Sequence, residues 1–139
     1  MTEKYWDGEN WLRVKKNNYI KMYFLNEKIH RKDGSAAIFY YNGNIEKEIY
    51  IINDKLHRKN GPAVIEYHDN GFTEKYYQND KLYREDGPAF IFYNNDGTIS
   101  KQFFFNGVEF DPENLSFELP FDTEEKKLYF KLKYGDNNA

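Results

Sequence analysis

Residues 53–63 read NDKLHRKNGPA and residues 79–89 read NDKLYREDGPA, and a looser third copy runs from Asn26 to Ala36. A chain of 139 residues that writes one cassette three times is constrained to stack like units against one another. The turn pairs Asp7-Gly8, Asp33-Gly34, Asn60-Gly61 and Asp86-Gly87 fall 26, 27 and 26 residues apart, and Asn26, Asn53, Asn79 and Asn106 are spaced 27, 26 and 27. Each of the first three Asn precedes the next turn glycine by eight residues, so the cassette is fixed in length. What varies is the segment between cassettes, where Gly43, Gly71 and Gly97 precede the next Asn by 10, 8 and 9 residues.

Between cassettes the pattern is that of a hairpin: an apolar run, a turn reading YNGN, HDNG or NNDG, and a second run ending in aromatics. Asn-Gly and Asp-Gly supply the positive φ that tight hairpin turns require. The first runs align as SAAIFYY, PAVIEYH and PAFIFYN. Alternate positions share one strand face, which predicts a buried column of Ala36, Ile38 and Tyr40, then Ala63, Ile65 and Tyr67, then Ala89, Ile91 and Tyr93, with Leu12 and Val14 continuing it. In the second runs Tyr23, Tyr50, Tyr76 and Phe103 hold the position three before the Asn. The other face holds Trp11, Phe39, Tyr41, Tyr77, Phe90, Phe92 and Phe104, which form the candidate partner-binding surface. The expected fold is all-β: tandem antiparallel hairpin repeats of 26–27 residues building one meandering, twisted sheet. Residues 1–139 are read as a single repeat domain, with repeats over 7–106 and a divergent β cap over 107–139. In that tail LSFEL and KLYFKLKY alternate, and the alternation predicts extended edge strands.

Composition removes several function classes. The 27 aromatics, beside a charged fraction of 31%, disfavour disorder. No run approaches the roughly 18 apolar residues a membrane-spanning helix needs, and MTEKYWDGEN lacks the regions of a signal peptide, so a cytoplasmic location is expected. Without cysteine there is no disulfide, thiolate metal site or cysteine nucleophile. A net charge of −3 disfavours a general nucleic-acid binder. The charge is uneven, though: residues 1–25 carry five basic against three acidic groups, and residues 106–139 four against eight.

The cassette itself reads as a structural joint. Only four arginines stand against sixteen lysines, and three of them, Arg31, Arg58 and Arg84, occupy one repeat position. A planar fork can stack on a ring while binding a carboxylate or several carbonyls, which an ammonium cannot do. The near partners are Asp33, Asn60 and Asp86; Gly34, Gly61 and Gly87 permit the turn, and Pro62 and Pro88 stiffen its exit. His30 and His57 share a slot that Tyr83 fills in the third copy, which argues against metal ligation, and His68 has no nucleophile as companion. Neither a Walker motif nor a GxGxxG is present, so no catalytic residue, metal or cofactor is expected and the chain is read as a non-enzyme.

The run N-x-K-[IL]-[HY]-R-x-[DN]-G-[PS]-A resembles the repeats of MORN-like proteins, in the longer variant met in bacterial, phage and large DNA virus proteins. The resemblance covers residues 7 to about 106 and implies a hairpin meander used for binding proteins or, in some MORN proteins, membranes. It carries no catalytic residue across. The resulting expectation is a protein-binding repeat module. Its specific form, by analogy with phage proteins and with a Lys, Asn, Ile and Tyr bias that suggests an AT-rich genome, is a phage-encoded inhibitor of a host or defence protein. Such a protein, anti-CRISPR-like, would act in the host cytoplasm by occupying a partner surface. The alternative is RNA or single-stranded nucleic-acid binding through aromatic stacking, with Lys15, Lys16 and Lys21 as backbone contacts.

Overall fold

A computed structural model describes residues 3–113 together with Leu128, Leu132 and Lys133. Its centre is one antiparallel meander in which neighbours in the sheet are neighbours in the chain apart from the short hairpins. In order across the sheet these are β1 (Glu3–Trp6), β2 (Trp11–Lys16), β3 (Ile20–Leu25), β5 (Ala37–Tyr41), β6 (Asn44–Ile49), β9 (Val64–His68), β10 (Gly71–Lys75), β13 (Phe90–Asn94), β14 (Ile99–Phe105) and β15 (Val108–Phe110). The remaining pieces are short: β4 (Lys28–Ile29) folds back on β3, β7 (Ile51–Ile52) pairs with β8 (Lys55–Leu56), and β11 (Tyr77–Gln78) pairs with β12 (Lys81–Leu82).

These short hairpins are the cassettes' Asn-containing halves, and their turns explain a residue choice that the sequence pattern alone left unassigned. Asn26 and Glu27 have φ of 50° and 67°, Asn53 and Asp54 48° and 66°, and Asn79 and Asp80 48° and 69°. Consecutive positive φ values are the signature of the two-residue turn whose twist matches antiparallel strands, and Asn and Asp tolerate that region better than other side chains. The fourth such turn, Asn106-Gly107, joins β14 to β15. Asp54 and Asp80 act again as caps. Asp54 Oδ1 accepts the Ile29 N–H at 2.7 Å while the Asp54 N–H donates to the Ile29 carbonyl at 2.9 Å, and Asp80 repeats both bonds with Leu56 at 2.6 and 2.9 Å. Each short hairpin is thereby pinned to the one before it.

Register places the alternation on two faces. Across the first face runs a row in which Tyr and Ala alternate, because the N–H of Tyr23, Tyr50 and Tyr76 donates to the carbonyl of Ala36, Ala63 and Ala89 at 2.9, 2.7 and 2.7 Å. All three alanines are fully buried, as are Leu12 and Phe105, and Val14, Tyr23, Ile91 and Phe103 are nearly so. Burial along the predicted column fades with distance from the cassettes: Ile38 and Ile91 are buried, Ile65 is half-buried, and Tyr67 is 42% exposed. The cassettes cover only the near end of the sheet, and the far end is left to aromatic packing, with Phe72 stacked on Tyr93 at 4.6 Å. Gly71 is required there for room: a Cβ would lie 1.9 Å from the Tyr93 carbonyl oxygen.

The tail begins as predicted, with β15 closing on β14, but Leu128, Leu132 and Lys133 have helical rather than extended backbone. Leu128 and Leu132 are four apart, so a helical turn also puts them on one face, and a short pattern fits both periods. The rest of the predicted cap beyond Glu113 lies outside the described residues.

The turn assignment yields a direct test. Asn53→Ala should lower the unfolding free energy by about 1 kcal/mol, because Ala is disfavoured at positive φ, while Asn53→Gly should be close to neutral in urea unfolding.

Candidate functional site

The cassette joint forms where a long strand ends and a short hairpin begins. At that point the Tyr of the buried row gives its carbonyl to the residue before the arginine: His30, His57 and Tyr83 N–H donate to Tyr23, Tyr50 and Tyr76 at 2.9, 3.1 and 3.0 Å. The arginine that follows is consequently delivered onto the same Tyr ring. Arg31 Cζ lies 4.3 Å from the Tyr23 centroid, Arg58 3.8 Å from Tyr50 and Arg84 4.1 Å from Tyr76. Its guanidinium then reaches the chain four residues on, donating to the carbonyls of Ser35, Pro62 and Pro88 at 3.3, 3.1 and 3.1 Å.

Gly61, at φ 138°, uses glycine's conformational freedom as its dipeptide suggests, but all three glycines have a further role. Gly34 and Gly87 do not have left-handed φ. A Cβ at Gly34, Gly61 or Gly87 would sit 2.8, 2.9 or 2.9 Å from the arginine Cζ, so the guanidinium occupies the place of the missing side chain. The expected Arg partners also divide. Arg31 Nε bonds Asp33 at 2.8 Å and Arg84 Nε bonds Asp86 at 3.0 Å, whereas Arg58 makes no bond to Asn60.

In the first unit Tyr5 stands two before Asp7, where later units have Arg. Its hydroxyl accepts from Arg31 Nη2 at 3.1 Å and donates to Asp33 Oδ2 at 2.5 Å, and its ring packs edge-on against Tyr23. Partial burial opposes ionisation of Asp33, but the bonds from Tyr5 and Arg31 outweigh it and hold its carboxyl below the ordinary aspartate range. The histidines are spent within the array. His30 Nδ1 accepts the Asn53 N–H at 3.1 Å and His57 Nδ1 the Asn79 N–H at 3.3 Å, while Tyr83 instead packs its ring on Phe105 at 4.8 Å. His68 Nε2 meets Thr73 Oγ1 at 2.9 Å. Among the described residues no three His, Cys, Asp or Glu are grouped to hold a metal ion.

The second sheet face carries the expected aromatic surface in pieces. Trp11 and Tyr41 are 64% and 68% exposed, while Phe39, Tyr77, Phe90, Phe92 and Phe104 are half-buried. Between Phe39 and Phe90 lies the ion pair of Glu66 with Lys75 at 2.7 Å, and Lys75 also sits over the Phe90 ring at 5.4 Å. Burial opposes ionisation of Glu66, yet Lys75 keeps its carboxyl below the usual range. Apart from Tyr41 at the end of β5, the exposed part concentrates at β1–β3. There Trp6, 49% exposed, pairs with Trp11 at 5.5 Å, and Arg13 lies over Phe24 at 4.6 Å. Register puts Lys4 opposite Arg13 and Lys15 opposite Met22, so this face of β1–β3 holds three cations and no acidic residue. Trp6, Lys4 and Phe24 were not among the sequence candidates. The signal was the pair of tryptophans flanking the DGEN turn, which a repeat read from Asp7 onward overlooks.

No family model, curated protein or solved structure matches the chain. No helix among the described residues is long and apolar enough to cross a membrane, which leaves strand-built membrane proteins unaddressed.

A double-mutant cycle tests the glycine assignment. Gly87→Ala should cost about 1–2 kcal/mol in the native background by displacing the guanidinium from its contacts. In an Arg84→Ala background the same change should be neutral or stabilising by a few tenths of a kcal/mol, since no left-handed φ forbids it. Additive effects would show that the glycine serves the backbone alone.

Proposed function

We propose that the chain is a non-enzymatic protein-binding repeat module, with MORN-like repeats as its scaffold, that acts by occupying the surface of a partner protein. The observation that carries this reading is the Trp6–Trp11 pair, exposed on a face of β1–β3 whose charges, Lys4, Arg13 and Lys15, are all positive. Solvated tryptophans cost free energy that a partner recovers by covering them, and Trp with Arg is the commonest chemistry of interface hot spots. The complementary surface is an apolar pocket rimmed by acidic groups. In its narrower form, by analogy alone, the module is a phage-encoded inhibitor of a host or defence protein working in the host cytoplasm.

A second reading, RNA or single-stranded nucleic-acid binding, is favoured by the same interleaving of Trp6, Trp11 and Phe24 with three cations. Bases stack on exposed rings while lysines follow the phosphates, and such binding falls steeply with salt.

Both readings meet one experiment: affinity capture from bacterial lysate, with and without nuclease, by the native chain and by a Trp6→Ser, Trp11→Ser variant. Protein binding gives a discrete partner that survives nuclease and whose recovery drops about tenfold or more in the variant, with the fold's melting temperature little changed because both rings are exposed. Capture that vanishes with nuclease and with added salt transfers the chain to the second reading. Equal capture by both forms, or none, overturns the role of this face.

A further inference from the structure

The three joints are copies, and one lacks a part that the other two have. Arg31 and Arg84 each give Nε to an aspartate two residues on, at 2.8 and 3.0 Å. At the middle joint Asn60 takes that place, and Arg58 donates to the Pro62 carbonyl alone among the described residues. Its guanidinium nevertheless keeps the same seat as the others, stacked on Tyr50 at 3.8 Å and set against Gly61. The backbone there is further tied by Gln78, whose Nε2 donates to the Arg58 carbonyl at 2.8 Å. A cleft of about 590 Å³ opens on this arginine, lined also by Lys59, Asn60, Gln78, Arg84, Glu85 and Asp86. Arg84 is paired with Asp86, and Glu85 accepts from the Tyr83 hydroxyl, so a ligand meets the cations Arg58 and Lys59 against the one further acid, Glu85.

We propose that the Arg58 joint is a receptor for one carboxylate, from an Asp, Glu or C-terminus of the partner protein, which takes the place that Asp33 and Asp86 fill in the neighbouring joints. The template for the complex is in the fold itself: the same Arg on the same Tyr with a carboxylate at Nε. A half-buried guanidinium fixed in advance loses little freedom on binding, and a carboxylate matches its planar fork. Asn60 offers a side-chain amide with no net charge, so it leaves Arg58 without the carboxylate that its counterparts have, and Lys59 adds attraction at the rim. This inference rests on the protein-binding reading for the source of the carboxylate, but the site's chemistry can be measured without any partner.

The experiment titrates the full, nitrogen-15-labelled chain with N-acetyl-aspartate methylamide and follows the arginine Nε–Hε signals. Parallel titrations use sodium chloride at matched ionic strength and inorganic phosphate. The Arg58 signal should shift and saturate with a dissociation constant of roughly 1–10 mM, while those of Arg31 and Arg84 stay in place. In Asn60→Asp the Arg58 signal should start near its ligand-bound position and no longer respond, and Lys59→Gln should weaken binding about two- to threefold without altering the fold. An Arg58 signal that does not move, that moves equally with chloride, or that still responds in Asn60→Asp overturns the proposal. Phosphate binding about tenfold tighter than the carboxylate overturns it too, reassigning the cleft to phosphate groups. Because no protein partner enters the titration, its failure is separate from a failure of the Trp6–Trp11 surface in lysate capture.

Discussion

The guanidinium stacked on a tyrosine is the contact on which the array depends. A single hairpin cannot bury its apolar face, and in this chain the short Asn-containing hairpins leave the main sheet at each unit boundary. What returns the chain to the sheet is the arginine. It covers the Tyr of the buried row, bonds the carbonyl that leads into the next strand, and fills the space above a glycine. Burying a cation requires compensation, and the ring face, the carbonyl and in two units an aspartate supply it. Lysine, with a point charge and no plane, could satisfy one of these contacts at a time.

From that joint follows the division of the molecule's surface. The cassettes close over one end of the sheet, where Ala36, Ala63 and Ala89 of one face and Ala37 and Val64 of the other are buried, and Ile29, Ile51 and Leu56 of the short hairpins join the cluster that holds Ala36 and Ala37. The far end of the first face, at Tyr67, and the parts of the opposite face at Trp11 and Tyr41 receive no such cover. The opposite face is neutralised in its middle by Glu66 and Lys75 and is left aromatic and positive at β1–β3. Function is therefore sought where the repeat is least regular: at the first unit, where Tyr5 replaces Arg, and at the third, where Asn60 replaces Asp.

Much of this was legible in the sequence because repetition multiplies weak signals. One Arg among many lysines says little, whereas three at one phase identify a position that needs a fork, and the Ala-Ile-Tyr column fixed strand phase in every unit. Gly34 and Gly87 were misleading for a physical reason: a Gly after Asp reads as a turn residue, and nothing local reveals that a side chain three residues earlier fills its Cβ position. Three of the left-handed pairs, Asn26-Glu27, Asn53-Asp54 and Asn79-Asp80, contain no glycine at all. The candidate surface was only partly legible, since alternation assigns a face but cannot say that Lys75 would reach over Phe90 and break the patch.

The most direct measurement is native-state amide hydrogen exchange of Arg84→Lys beside the native chain. The substitution keeps the charge and removes the plane and the fork. If the stacked guanidinium holds the joint, the amides of Tyr76, Tyr83 and Ala89, bonded at 2.7, 3.0 and 3.0 Å, lose protection by about tenfold or more, while the Tyr23 and His30 amides at the Arg31 joint are unchanged. Undiminished protection at Tyr76, Tyr83 and Ala89 in the lysine variant would contradict the account, because charge alone would then suffice to close the array.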